Sequence, residues 1–566
     1  MSKLLLNTEQ EAATNFTSGP SIIIAGAGTG KTRVLTEKIK RLVVDKKISP
    51  RCILALTFTE KAAGEIEERV DKALPYGYTE AWIMTFHSFA DRILRENGTH
   101  IGISPSYRLL TGTDSVLFFK SHLHKFSLSY FRSVGNPTGF IDAALTHFSR
   151  LKEENISPEN YLKYVEKKSK IATTDEEKEE SVKNKELAEM YQTYSNLKRK
   201  ENVMDFSDLL FYVVQLLSQR KHIVNRLQKQ FTHCLVDEFQ DTNIVQYELI
   251  KLLFPAQSHP QLTVIGDDNQ SIYKFRGASI SNILSFKSDY KDARMFVLNI
   301  NYRSYQEILD SAYSLITHNN PDTLETSLGI SKKLVASRGE KKEYPVLLHA
   351  LSGSNEAEKV AREIQIVTEK KNFSYEDIAL LVRANDHAKP FIQVFEQQGI
   401  PYQFLGPGFL YNRSEIRDLI SLLMFIRNVH DSIHLYRVLS MPIFNISTLD
   451  LIQLTSFAKR ISRSLFEVLL ICCTDSAEEY KKHVPLFTPE TKKHIKNIYE
   501  LLIHVMNNAE RAPALSILFS FLEKSGYLKL LTAIQSEQDE QRLQNITRFF
   551  LKVKRMEGEQ GEATVA

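Results

Sequence analysis

The apolar run Ile22-Ile23-Ile24 passes straight into Ala25-Gly26-Ala27-Gly28-Thr29-Gly30-Lys31-Thr32, and helical spacing follows at Val34, Leu35, Ile39 and Leu42. A short strand, a glycine-rich turn and a helix in that order leave few folds open. The buried strand demands neighbours, and the helix must pack on the sheet they form. The turn also gathers backbone N–H groups and a helix N-terminus at one point, which suits phosphate. Lys31 is placed to meet β- and γ-phosphates, and the Thr32 hydroxyl is the kind of hard oxygen that Mg²⁺ takes. Ala25 stands where the strict phosphate-loop pattern has glycine, so the match is to a relaxed form.

A second apolar run ends in paired carboxylates, Leu235-Val236-Asp237-Glu238-Phe239-Gln240-Asp241. Asp237 would hold the same Mg²⁺ ion as Thr32, and Glu238 would orient or deprotonate the attacking water. Each motif is weak alone, but both at strand ends in one chain describe an ATP-hydrolysing motor. A third segment, Gly266-Asp267-Asp268-Asn269-Gln270-Ser271-Ile272-Tyr273-Lys274-Phe275-Arg276-Gly277, also follows a strand. Gln270 is suited to feel the γ-phosphate. Tyr273, Phe275 and Arg276 offer faces and charge for stacking single-stranded bases. By themselves two aromatics at that spacing read as core packing, and the adjoining glutamine and arginine favour the strand-binding reading.

Length and composition bound the rest. At 566 residues the chain exceeds one core and predicts several domains. Its 43% hydrophobic and 25% charged residues exclude wholesale disorder. A net charge of +4 permits nucleic-acid binding without requiring it. Cys52, Cys234, Cys472 and Cys473 lack metal-ligand spacing, which argues against a zinc module and for a reducing cytoplasm. No apolar run approaches the roughly 20 residues that span a bilayer, so no membrane partner is expected.

Strand signals at Ile22–Ile24, Ile53–Leu56, Trp82–Met84, Cys234–Val236 and Leu262–Ile265 alternate with helical patterns, as in a parallel sheet. Between Asp91 and Lys200 they fade, and Glu166–Glu186 reads as a mixed-charge solvated helix or loop. Asp237 lies too far beyond Lys31 for one simple nucleotide core, which a helical insertion resolves. A second α/β stretch is expected from Arg294–Leu298 through 345–349 and 378–382, with helical sequence from about Pro390.

Taken together, these motifs resemble the superfamily 1 DNA helicases of the UvrD/Rep/PcrA family over nearly the whole chain. Leu6-Asn7-Thr8-Glu9-Gln10 resembles the family's Q motif, which implies that Gln10 reads the adenine edge, and Arg33 resembles its adenine-flanking arginine. Thr57-Phe58-Thr59 and Thr85-Phe86-His87-Ser88 resemble its single-strand contact motifs. That implies Phe58 stacking on a base and Thr59, Thr85 and His87 near the DNA backbone. Asn301-Tyr302-Arg303-Ser304 resembles its fourth motif, implying Tyr302 against the nucleotide base and Arg303 as an arginine finger. Phe275 stands where the family often has tryptophan, which keeps stacking but weakens it.

The resemblance implies an α/β protein with two RecA-like P-loop domains, the second incomplete, each with a mainly helical insertion. On this scheme residues 1–90 and 201–290 form the first domain and 91–200 its insertion. Residues 291–390 begin the second, 391–550 form a helical accessory domain, and 551–566 start the return. The family's fifth motif would begin at Glu562–Ala566, so a piece of a longer protein is expected in preference to a broken gene. The implied activity is ATP- and Mg²⁺-dependent 3′-5′ translocation on single-stranded DNA and 3′-tailed duplex DNA. Three other readings stay open: a small-molecule kinase, a non-unwinding DNA-binding ATPase or scaffold, and the helicase part of a helicase-nuclease.

Overall fold

The computed structural model describes residues 6–560 except 75–80, 132–137, 273–279, 371–372, 406–408, 475–483, 510–511 and 534–536. The chain forms two compact units, Met1–Val346 and Leu347–Ala566.

The first unit is built on a six-stranded sheet. Across the sheet the strands run Trp82–Thr85, Ile53–Thr57, His233–Val236, Gln261–Gly266, Ser21–Ala25 and Arg294–Leu298, every neighbouring pair parallel. Burial on both faces explains why the inner strands read as continuous apolar runs, while the edge strand Arg294–Leu298 is only partly buried. Side chains alternate between two cores. Ile22, Ile24, Leu54, Leu56 and Val236 enter one, while Ile23, Ala25, Ile53, Ala55 and Leu235 enter the other. Because all the strands are parallel, their C-terminal ends share one edge, the edge where open α/β sheets bind ligands.

Arg294–Leu298 corrects one expectation. It does not open a second sheet but pairs with Ser21–Ala25, from Ser21 opposite Arg294 to Ala25 opposite Leu298. Membership of a parallel sheet follows from where the crossover returns the chain, which local periodicity does not encode. The run 345–349 and the run 378–382 lie outside any strand, and Val346, Leu347 and Leu381 are exposed. A strand exists only through ladder partners, and none pairs with either run among the described residues.

Helices Gly112–Ser121, Ile141–Glu153, Pro158–Ser169 and Asp175–Lys200 pack around their own core, with Phe119, Phe148, Tyr191 and Tyr194 fully buried. The charged tract 166–186 is largely solvated helix and turn, as expected, but it ends on a buried anchor. The Glu186 carboxylate accepts the N–H groups of Ser129, Tyr130 and Phe131.

The second unit is helical among its described residues. One core gathers helices from Ser414–Arg427 to Glu537–Gln560, and a smaller one joins Gly353–Lys370 to Lys389–Gln398. Glu415 is buried and accepts a hydrogen bond from Asn545 Nδ2 at 2.8 Å, while Asp418 pairs with Arg437 at 2.8 Å.

Candidate nucleotide site and strand-binding edge

The loop after Ser21–Ala25 turns on two left-handed glycines, Gly28 at φ 72° and Gly30 at φ 87°, and Gly30 caps the helix Lys31–Val44. Gly28 is required twice over. A β-carbon there would strain the backbone and lie 2.7 Å from Asn301 Nδ2. Thr29 braces the turn through its hydroxyl, which donates to Gly26 O at 2.8 Å. The helix N-terminus that results leaves N–H groups directed outward, the arrangement that receives an anion.

Lys31 is the centre of a bonded cluster. Its Nζ lies 2.7 Å from Glu238 Oε2 and 2.9 Å from Gln270 Oε1. The side chains come from three different strand ends, so the parallel sheet alone brings them together. Glu238 holds a left-handed conformation, φ 47° and ψ 48°, which costs a non-glycine residue about 1–2 kcal/mol. That bend starts the turn Phe239–Asp241 and lets Gln240 Nε2 donate to Glu238 Oε2 at 2.7 Å. Gln240 Oε1 in turn accepts Asp267 N at 3.0 Å, and Gln270 Nε2 donates to Asp267 Oδ2 at 2.8 Å.

Asp237 is 5% exposed. Burial pushes its carboxyl up to about 6, with the Glu238 charge adding and Lys31 opposing. Burial and Glu238 also push Asp241 up to about 7. A cation beside these groups reverses that pressure. The oxygen donors of Asp237 and Thr32 suit Mg²⁺, which keeps water and phosphate ligands and needs few from protein. Among the described residues no group of three or more His, Cys, Asp or Glu offers an all-protein metal cage.

Gln10 lies on the other side of the loop, on the helix Thr8–Asn15. It is 1% exposed, shares a capping box with Asn7, and its Nε2 donates to Thr29 O at 2.8 Å. Lys38 fastens the far end of that helix by donating to Ala13 O at 3.0 Å and to Phe16 O, and burial pushes its ammonium down to about 8. Arg33 sits half-buried on the first turn after the loop. Tyr302 N donates to Gly28 O at 2.9 Å, and its hydroxyl accepts from Asn7 Nδ2 at 3.0 Å. Arg303 is exposed on the same segment. Thus Gln10, residues 25–33, Asp237, Glu238, Gln270, Tyr302 and Arg303 share one end of the sheet.

Further along that edge stand the hydroxyl and aromatic residues. The strands Ile53–Thr57 and Trp82–Thr85 lie three and four places from the loop strand, so their ends are roughly 14–19 Å away. Phe58 is half-buried, and Thr59 is exposed and caps its helix by accepting Ala62 N at 3.1 Å. Thr85 is nearly buried. Its oxygen accepts Ser88 N at 3.1 Å, and its hydroxyl lies 2.8 Å from Glu60 Oε1. The structure therefore gives Thr85 a capping role. Burial holds His87 below its usual value, with the Glu60 charge opposing. Tyr273, Phe275 and Arg276 lie outside the described residues.

The nucleotide-type loop and the aromatic edge on one sheet direct attention to known motors, and sequence comparison decides the family. The profile of the UvrD/REP helicase N-terminal domain matches residues 6–291, and that of the UvrD-like helicase C-terminal domain matches 296–565. The chain belongs to the UvrD/REP helicase family. Similar proteins include the ATP-dependent DNA helicase PcrA of Staphylococcus epidermidis, 34% identical over 547 residues. That alignment covers 96% of this chain and 69% of the relative. The PcrA of Staphylococcus aureus is likewise 34% identical over 548 residues, with 96% and 69% covered.

Within this UvrD-like chain the structure adds one residue that the sequence did not single out, Phe206, and a role for Asn301. Phe206 is 50% exposed and opens the helix Phe206–Gln219, with its ring 6.1 Å from that of His87. A phenylalanine after Met204-Asp205 carries no sequence signal of exposure, because its neighbour His87 is far away along the chain. Asn301 is buried and organises the segment around it. Its Nδ2 donates to Ala27 O at 2.6 Å, and its Oδ1 accepts the N–H groups of Arg303 and Ser304. Among the described residues no helix is long and apolar enough to cross a membrane.

Proposed function

We propose that this protein is an ATP-driven motor that moves 3′ to 5′ along single-stranded DNA and opens 3′-tailed duplex, acting in the cytoplasm in DNA repair or replication restart. The observation that carries this reading is the joining of Lys31, Glu238 and Gln270 at the end of a parallel sheet whose same edge presents Phe58 and His87, with the Phe206 ring beside His87. Family membership supports the class of activity, and resemblance alone supports the polarity.

Phosphate oxygens arriving at the 25–32 loop compete with Glu238 for Lys31. The exchange frees the Glu238 carboxylate to take a proton from water, while Gln270 and Arg303 meet the charge developing on the γ-phosphate. Thr32 and Asp237 would hold Mg²⁺, which when bound neutralises phosphate charge. Gln10 fixes the adenine edge from a helix already tied to the loop. Phe58 and Phe206 offer faces to successive bases, with Thr59 and His87 beside the backbone. The sequence motif assigns Tyr273, Phe275 and Arg276 to the same task.

The test is strand displacement on duplexes carrying a 3′ or a 5′ single-stranded tail. ATP-dependent displacement of the 3′-tailed substrate alone is expected. Preference for the 5′ tail would overturn the polarity. DNA-stimulated hydrolysis without displacement would favour a non-unwinding ATPase.

A further inference from the structure

Lys332 belongs to none of the motifs above, yet it is one of the most deeply buried cations in the first unit, with its side chain 5% exposed. Its Nζ lies 2.7 Å from Asp267 Oδ1 and also pairs with Asp268. Asp267 is the residue whose other oxygen accepts Gln270 Nε2 at 2.8 Å. A continuous chain of bonds therefore runs from Lys332 through Asp267 and Gln270 to Lys31 and Glu238.

The residues after Lys332 reach the opposite side of the same site. Leu334 Cδ1 lies 3.0 Å from where a β-carbon on Gly26 would stand. Val335–Ala336 pairs in parallel with Ile300–Asn301, and Ser337 N donates to Asn301 O at 2.8 Å. Gln306 bonds Leu334 O and Ala336 N, which holds the segment against its own helix. Arg338 Nη1 donates to Arg303 O at 2.9 Å.

We propose that residues 332–338 form a strap that couples Gln270 to the Asn301–Arg303 segment, with Lys332 as a positioning residue that acts through Asp267. The proposal rests on the reading of Gln270 and Arg303 as groups that meet the γ-phosphate. A buried ion pair by itself is weak evidence for anything beyond packing. Here one acid of the pair is shared with the sensor, and the same few residues carry the arginine segment, so displacement of one end moves the other.

The experiment is steady-state ATP hydrolysis by the full chain and its Lys332→Met, Lys332→Arg, Gln270→Ala and Lys332→Met/Gln270→Ala variants. Lys332→Met is expected to lower kcat by roughly tenfold or more with KM for ATP changed by about twofold at most. Lys332→Arg should recover most of that loss. The double variant should be no slower than Gln270→Ala alone, since both act on one group. A KM rise matching the kcat loss, or independent effects that multiply, would overturn the proposal. If Gln270→Ala leaves kcat unchanged, the sensor reading fails instead. Should Lys332→Met not fold, Arg338→Ala tests the exposed end of the strap. A lower kcat at unchanged melting temperature supports it, and unchanged kcat overturns it.

Discussion

At the scale of single residues, backbone conformation and side-chain chemistry act on the same few positions. Gly28 at φ 72° lies under Asn301 and Arg303. Gly28→Ala is expected to cost about 1–2 kcal/mol of stability and to weaken nucleotide binding, which a fluorescent nucleotide titration beside a thermal melt checks. Phe206 is half exposed, so Phe206→Ala removes a stacking face rather than core. Single-strand affinity should fall by about 1–3 kcal/mol with the melting temperature unchanged, measured by oligonucleotide anisotropy. A lower melting temperature with unchanged affinity would make Phe206 a packing residue. Much at this scale was legible in the sequence, because a glycine turn before Lys-Thr and paired carboxylates after an apolar run encode local geometry. Lys332 and Phe206 were not, and Asn301 was read as part of a motif without its bracing role, since each takes its meaning from partners far along the chain.

At the scale of elements, a buried charge cluster ties the helical insertion to the sheet-bearing core. Lys152 and Lys198 are both nearly buried, and each pairs with Asp205 and Asp208. Asp205 and Asp208 form the capping box of Phe206–Gln219, so the cluster also sets the helix that presents Phe206. Lys198→Met is expected to destabilise the protein by about 3–5 kcal/mol, because it leaves two buried carboxylates to share the single charge of Lys152; a denaturant melt reads this. The two lysines hold Asp205 far below the ordinary carboxylate range despite its burial. Its folded-state value is depressed, so its contribution is complete above about pH 4 and is lost as the pH falls through the folded value. Stability should therefore decline as pH drops below that point, and the decline should be shallower in an Asp205→Asn variant. Five strands of the sheet were foreseen as apolar runs of one sheet, and the sixth, Arg294–Leu298, was expected to begin another. The runs at 345–349 and 378–382 have the same composition without ladder partners, and composition does not supply partners.

At the scale of the whole molecule, the central claim is that one sheet edge binds ATP and that Glu238 makes it hydrolyse. The decisive measurement compares the native chain with Glu238→Gln in paired assays, nucleotide binding at equilibrium and ATP hydrolysis with and without a single-stranded oligonucleotide. The amide keeps the shape of the carboxylate and loses its basicity. The account predicts that both proteins bind nucleotide and that only the native chain hydrolyses it, faster when the oligonucleotide is present. Near-native hydrolysis in Glu238→Gln, or a native rate indifferent to DNA, would contradict it.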